Sequence, residues 1–195
     1  MIITLLEIFY LILTTLLIGY IFTGYIPHYR KIPKTEDNLI AKYNKPFLDW
    51  EEIKFTIMVA SPGIILHELS HKITGLMFGL SATYQIFWEG MGLGLILKLF
   101  GSPFLLLAPG YVVLGGNASN LASVIVAFSG PFINLLLFSV SWHILKTRKN
   151  ISEKSFLSLS LLKQINLTLF IFNMIPIPGF DGFHVFSGLY NMFVN

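Results

Sequence analysis

The chain alternates long apolar runs with short polar ones, and the lengths of the apolar runs set the expected elements. Residues 8–26 carry no charge over 19 positions, enough for a helix to cross a hydrocarbon core roughly 30 Å thick. The run opens after "MIITLLE", with no basic segment before it and no A-x-A pattern, so it reads as an uncleaved anchor rather than a secretory signal. Pro27 is expected to end it. Residues 28–54 mix both charge signs with two prolines and Trp50, the pattern of a polar loop lying at a membrane surface. A second span is predicted over about residues 55–80. From Leu99 to Leu145 no Asp, Glu, Lys or Arg occurs for 47 residues, too long for one crossing, and Pro103, Pro109 and "GGNASN" interrupt the run. This part must fold back on itself. Residues 83–116 are expected to form a short helical hairpin or a re-entrant segment ending in the strand-like "YVVL". A third helix is predicted over 121–145 and a fourth over 156–175. "PIPGFDGFHVF" cannot continue that regular helix through its prolines, and a half-span of about a dozen residues closes the chain.

Composition agrees with this pattern, since 54% of the 195 residues are hydrophobic and 12% charged, against about 25% charged in a soluble domain. Mean hydropathy is +0.72. The expected class is an all-α polytopic membrane protein with about four to six transmembrane helices and a small re-entrant or β-hairpin element near the active site. Residues 1–54 form an N-terminal anchor and cytoplasmic loop, and residues 55–195 a single membrane core. A net charge of +3 does not indicate nucleic acid, because the Lys and Arg residues flank the apolar runs. Six of them fall in residues 28–54 and four in "KTRKNISEK", which puts both loops on the cytoplasmic side of a multi-pass cell-membrane protein. The two loops agree only if residues 81–120 cross an even number of times. The chain has no cysteine, so any metal ligands are histidine or carboxylate.

The candidate chemistry lies in "GIILHELSHKI", residues 63–73. His67 and His71 are four residues apart, so on a helix they share a face and can reach one zinc ion, with Glu68 beside them. A polar pair of core histidines is the bland alternative. Three ionisable groups within five residues of an apolar span nonetheless call for a metal or a hydrated cavity, because each costs several kcal/mol unpaired. Catalytic zinc takes three protein ligands and keeps a position open. Glu89 in "FWEG" reads as interfacial, His143 beside Trp142 as a snorkelling residue, and Glu7 as lying at the water-facing end of the anchor. Asp181, with 17 uncharged residues before it and 14 after, sits among Pro and Gly that allow irregular backbone around a cavity. It is the expected third ligand. His184, three residues further on, reads as a polar neighbour of the cavity mouth.

"HELSH", "SGPFINLLL" at 129–137 and "FNMIPIPGFDG" at 172–182 together resemble the site-2 protease family of intramembrane zinc metalloproteases. The family pairs H-E-x-x-H with a downstream N-x-x-P-x-P-x-x-D-G, matched here by Asn173, Pro176, Pro178, Asp181 and Gly182. A G-P-x-x-N on an intervening helix is matched by Gly130, Pro131 and Asn134. The long insertion between "HELSH" and "SGPF" is similar to that of archaeal members. Phe180 stands where many members have leucine, and no soluble peptide-binding module of the bacterial kind is apparent.

The resemblance implies hydrolysis of peptide bonds in or near transmembrane segments, with one catalytic zinc on His67, His71 and Asp181 and Glu68 as general base. Asn173 and Asn134 are candidate oxyanion donors or positioning groups; helix-packing contacts are the alternative for each. Tyr111, Val112, Val113 and Leu114 offer a strand edge to which an unwound substrate adds. The implied partners are a transmembrane protein substrate and the lipid bilayer, with no nucleic acid. Two readings from other classes stand beside it. A non-catalytic binder of partner helices has no use for Glu68, and a metal-ion transporter would show more intramembrane carboxylates and internal repeats than this chain has.

Overall fold

A computed structural model of the chain describes residues 3–26, 49–102 and 109–194, of which 73% are helical. In chain order the elements are α1 (Leu5–Ile21), α2 (Trp50–Met77), β1 (Ser81–Ile86), α3 (Trp88–Leu99), β2 (Gly110–Gly115), α4 (Asn120–Thr147), α5 (Glu153–Asn173) and α6 (Asp181–Val194). Short polar residues start most of the helices by accepting the first free backbone N–H groups. Thr4 and Glu7 form a reciprocal capping box on α1, and Asp49, Ser119 and Ser152 cap α2, α4 and α5.

The elements differ from the hydropathy pattern at two ends. α1 stops at Ile21, capped by Phe22 and followed by a turn through Gly24 at φ 84°. Pro27 and most of the polar loop lie outside the described residues, while Trp50 to Lys54 form the first turn of α2. Among the described residues, α4 and α5 are the two helices long and apolar enough to cross a membrane. α2 is as long as α4, at 28 residues, but carries the ionisable groups. α3, with 12 residues, rises only about 18 Å and is too short to cross.

β1 and β2 pair antiparallel, from Ser81 opposite Gly115 to Ile86 opposite Gly110. α3 lies between the strands in sequence, so they form a two-stranded sheet without a tight hairpin turn. β2 falls on the strand-like "YVVL"; β1, "SATYQI", was not expected. Alternation along β1 turns Ala82, Tyr84 and Ile86 inward, where Tyr84 and Ile86 join Ile21 and Met91 in one apolar cluster. A second cluster, Ile18, Phe55, Val59, Ala60 and Ile64, joins α1 to α2 and is covered by Leu157, Leu161, Ile165 and Leu169 of α5.

A charged pair closes the outer side of β1. The Phe87 N–H donates to the Pro109 carbonyl at 3.2 Å, continuing the ladder. The odd-numbered residues of β1 therefore bond β2, and the backbone groups of Ala82 and Tyr84 point away from it. Lys72 Nζ donates to the Ala82 carbonyl and, at 2.6 Å, to Glu7 Oε1, which also accepts the Tyr84 N–H at 2.8 Å. Glu7 Oε2 accepts the Thr4 N–H at 2.8 Å. Glu7 and Lys72 are each 3% exposed. Glu7 is thus not at the water-facing end of an anchor but in the seam between α1, α2 and β1. Burial requires a charge partner there, and Lys72 supplies it.

Removing one member of a buried pair leaves the other charge uncompensated. Lys72→Ala is expected to lower stability by about 3–5 kcal/mol, read from thermal unfolding by circular dichroism in detergent. Glu7→Leu/Lys72→Met, which removes both charges and keeps apolar volume, is expected to recover most of that loss.

Candidate metal centre

Four helices bring the site together. α2 contributes His67 and His71, one turn apart on a single face, and both imidazoles are buried. α5 ends at Asn173, and "MIPIPGF" turns the chain through Gly179 at φ 99° before α6 restarts at Asp181. The carboxylate thus stands on the first turn of α6. At Gly182 an added Cβ would run into the Met174 backbone, and it would pass 2.8 Å from the Ile175 carbonyl. That closeness holds the start of α6 against the end of α5. α4 passes beneath the imidazoles at Gly130, where a Cβ would come within 2.7 Å of His67 Nε2 and closer still to His71 Nε2. Only glycine leaves room for the two rings.

The three side chains converge on one point. His67 Nε2 lies 3.0 Å and His71 Nε2 3.3 Å from Asp181 Oδ2, and the two Nε2 atoms are 3.1 Å apart. Ligands about 2.0 Å from a tetrahedral zinc are separated by roughly 3.3 Å. The triangle therefore has the dimensions of one face of a metal tetrahedron. The cluster is compatible with metal binding.

Hydrogen bonding on the far side of each ring fixes which nitrogen carries the proton. His71 Nδ1 lies 2.8 Å from the Val126 carbonyl, which can only accept, so Nδ1 is the N–H. His67 Nδ1 lies 2.7 Å from Asn134 Oδ1. Asn134 is itself oriented, because its Nδ2 donates to the Gly63 carbonyl at 2.9 Å and to Asn166 Oδ1 at 3.0 Å. Asn166 Nδ2 donates in turn to the Leu162 carbonyl at 2.8 Å. The chain of bonds leaves Oδ1 of Asn134 as an acceptor, so His67 Nδ1 is also an N–H. Both Nε2 atoms then carry lone pairs that face each other and a carboxylate oxygen. With both rings neutral, such an arrangement is repulsive unless a metal ion or a further proton lies among the three, and this is the polarity a metal requires of its ligands.

Glu68 follows His67 in the same turn, partly buried, and interacts electrostatically with His67, His71 and Asp181. Asn173 is partly buried at the end of α5, and its amide makes no hydrogen bond among the described residues. Asn134 is fully buried and both of its donors are engaged, so it acts on His67. Tyr111 to Leu114 lie on β2, whose outward edge has no partner among the described residues. Glu89, His143 and His184 are exposed and stand apart from the cluster. Asn166, on α5, was not singled out from the sequence. A lone Asn in the apolar "INLTLF" was the available signal.

Over 129 residues the chain is 33% identical to a protein of Methanocaldococcus jannaschii named "putative zinc metalloprotease". The match covers 65% of this chain and 66% of that protein, just under two thirds of its length. No protein-family profile matches the chain, and no solved structure does.

Asn134→Ala removes the acceptor that orients His67. It is expected to weaken zinc affinity by about 10–100-fold, measured by competition with a chromophoric chelator. Glu89→Ala is expected to leave the affinity unchanged.

Proposed function

We propose that the chain is an intramembrane zinc metalloprotease of the site-2 type, hydrolysing peptide bonds in or near transmembrane segments in regulated intramembrane proteolysis. The observation that carries this reading is the convergence of His67 Nε2, His71 Nε2 and Asp181 Oδ2, with Glu68 alongside. The likeness to the archaeal protein named as a zinc metalloprotease supports the metal and the reaction class. His67, His71 and Asp181 would hold one zinc ion, which when bound supplies the Lewis acidity that polarises a scissile carbonyl and acidifies water.

The remaining work falls to side chains of this protein. Glu68 takes a proton from the attacking water and passes it to the leaving amine. The Asn173 amide, uncommitted among the described residues, donates to the developing oxyanion. Asn134 and Asn166 hold the His67 ring in the tautomer the reaction needs. A helical substrate hides its carbonyls in its own hydrogen bonds, so it must be unwound before attack. The outward edge of β2, residues Tyr111, Val112, Val113 and Leu114, accepts the unwound segment as an added strand.

A multi-pass setting in the cell membrane suits the outer surface of the helices. Phe132, Leu136 and Val140 on α4 and Ile171 and Phe172 on α5 are exposed, as lipid-facing residues are. We assign four to six spans, with residues 1–54 as anchor and cytoplasmic loop and 55–195 as the proteolytic core. The partners are the bilayer and a transmembrane protein substrate.

Glu68→Gln tests the reaction directly. The variant is expected to keep its zinc and to lose cleavage of a membrane-segment reporter by about 10²–10⁴-fold. The readout is the reporter fragment in mass spectrometry, with metal content measured on the same sample. Undiminished cleavage would remove Glu68 as the base.

A further inference from the structure

Lys72 directly follows His71, yet neither it nor Glu7 touches the metal cluster. Their placement has a geometric consequence. Lys72 Nζ holds the Ala82 carbonyl, and Glu7 Oε1 holds the Tyr84 N–H at 2.8 Å, so the pair grips two backbone groups on one side of β1. The ladder then fixes β2 against β1, with Tyr84 opposite Val112. Among the described residues, the backbone groups of β2 left without a ladder partner are those of Gly110, Val112 and Leu114. A continuous chain of directional bonds therefore runs from the turn bearing His71, through Lys72 and β1, to the open edge of β2.

We propose that Glu7 and Lys72 are positioning residues: their pair locks the two-stranded sheet to the metal-bearing turn of α2 and so sets where a strand added to β2 meets the site. The kinetic part of this inference rests on the protease reading above, whereas the structural part stands without it. Without the pair, apolar packing and the buried contact between the Thr14 and Tyr84 hydroxyls at 3.0 Å would hold β1 near α1 and α2, but no bond from either helix to its backbone would stop it from sliding or tilting. Buried ion pairs add little net stability over apolar replacements of similar size. What a carboxylate and an ammonium add here is direction, because each bonds a particular backbone atom of β1. α1 thereby reaches the site through Glu7, although it supplies no side chain to the His67–His71–Asp181 cluster.

The test uses the full chain loaded with zinc. The sequence has no cysteine, so Ile73→Cys and Val113→Cys give a clean pair of spin-label sites on α2 and β2. Both residues are exposed, at 52% and 42%. In the labelled parent, double electron–electron resonance is expected to give one narrow distance. In Glu7→Leu/Lys72→Met the distribution is expected to broaden at least about twofold, and an unchanged distribution overturns the proposal. Should that variant not fold, amide hydrogen exchange on the unaltered protein decides: Tyr84 is expected to exchange at least about tenfold more slowly than Val112. Equal rates overturn the tether.

The kinetic arm uses a synthetic transmembrane peptide of leucine and alanine, about 20 residues long, with a central Asn-Gly pair. The parent is expected to cut one bond. The double variant is expected to cut several, with kcat lower by about 10²-fold and KM changed less. The same single cut at unchanged kcat would overturn the positioning role. Zinc-loaded parent protein that cuts nothing, while the spin-label distances behave as expected, counts against the protease reading and leaves the tether supported.

Discussion

A polar or charged group withdrawn from water has to be given partners inside the protein, and that requirement governs how this chain is put together. Its surface is largely apolar, yet the interior of α2 carries His67, His71 and Lys72, with Asn134 and Asn166 on the helices packed against it. None of these stands alone. The imidazoles are bonded outward to Asn134 and the Val126 carbonyl and face Asp181 inward; Lys72 is matched by Glu7. Asn134 and Val126 belong to α4, Asp181 to α6 and Glu7 to α1, and Asn134 is bonded in turn to Asn166 of α5, so satisfying these groups of α2 draws in α1, α4, α5 and α6.

Small residues make these meetings feasible. Gly130 lets α4 pass under the imidazoles, and Gly63 brings its carbonyl to Asn134 where a Cβ would come 2.7 Å from Asn166 Oδ1. The result is a layered site. The three converging atoms lie at its centre, the Asn134 and Asn166 amides and the Val126 carbonyl orient the imidazoles from behind, and a more distant ion pair attaches the sheet. Rigid orientation of this kind is what a metal centre in an apolar setting demands, since a misdirected imidazole would be both a poor ligand and an unpaired buried donor.

Much of the centre was legible in the sequence because helical periodicity is a local rule. "HELSH" places two imidazoles on one face whatever the tertiary structure. Asp181 stood out through isolation, a lone carboxylate among prolines, glycines and apolar residues. Asn134 could be named but not assigned, since its bond to His67 depends on how α4 crosses α2. Glu7 and Lys72 are 65 residues apart, and no periodicity relates them. Glu7 near an apolar run reads as an end marker, and Lys72 as part of the motif beside it. β1 was missed because "SATYQI" is six residues long and its alternation emerges only once Ala82, Tyr84 and Ile86 have a helix to pack on. The shortened α1 follows from a turn at Gly24 that hydropathy alone does not register.

In the proposed centre His67, His71 and Asp181 act as one ligand set although Asp181 lies more than a hundred residues downstream in sequence. Zinc content of the purified protein and of Asp181→Ala, by inductively coupled plasma mass spectrometry after dialysis against a weak chelator, tests it most directly. About one zinc per chain is expected in the parent, as one three-ligand site requires, and almost none in the variant. Full zinc retention by Asp181→Ala would contradict it.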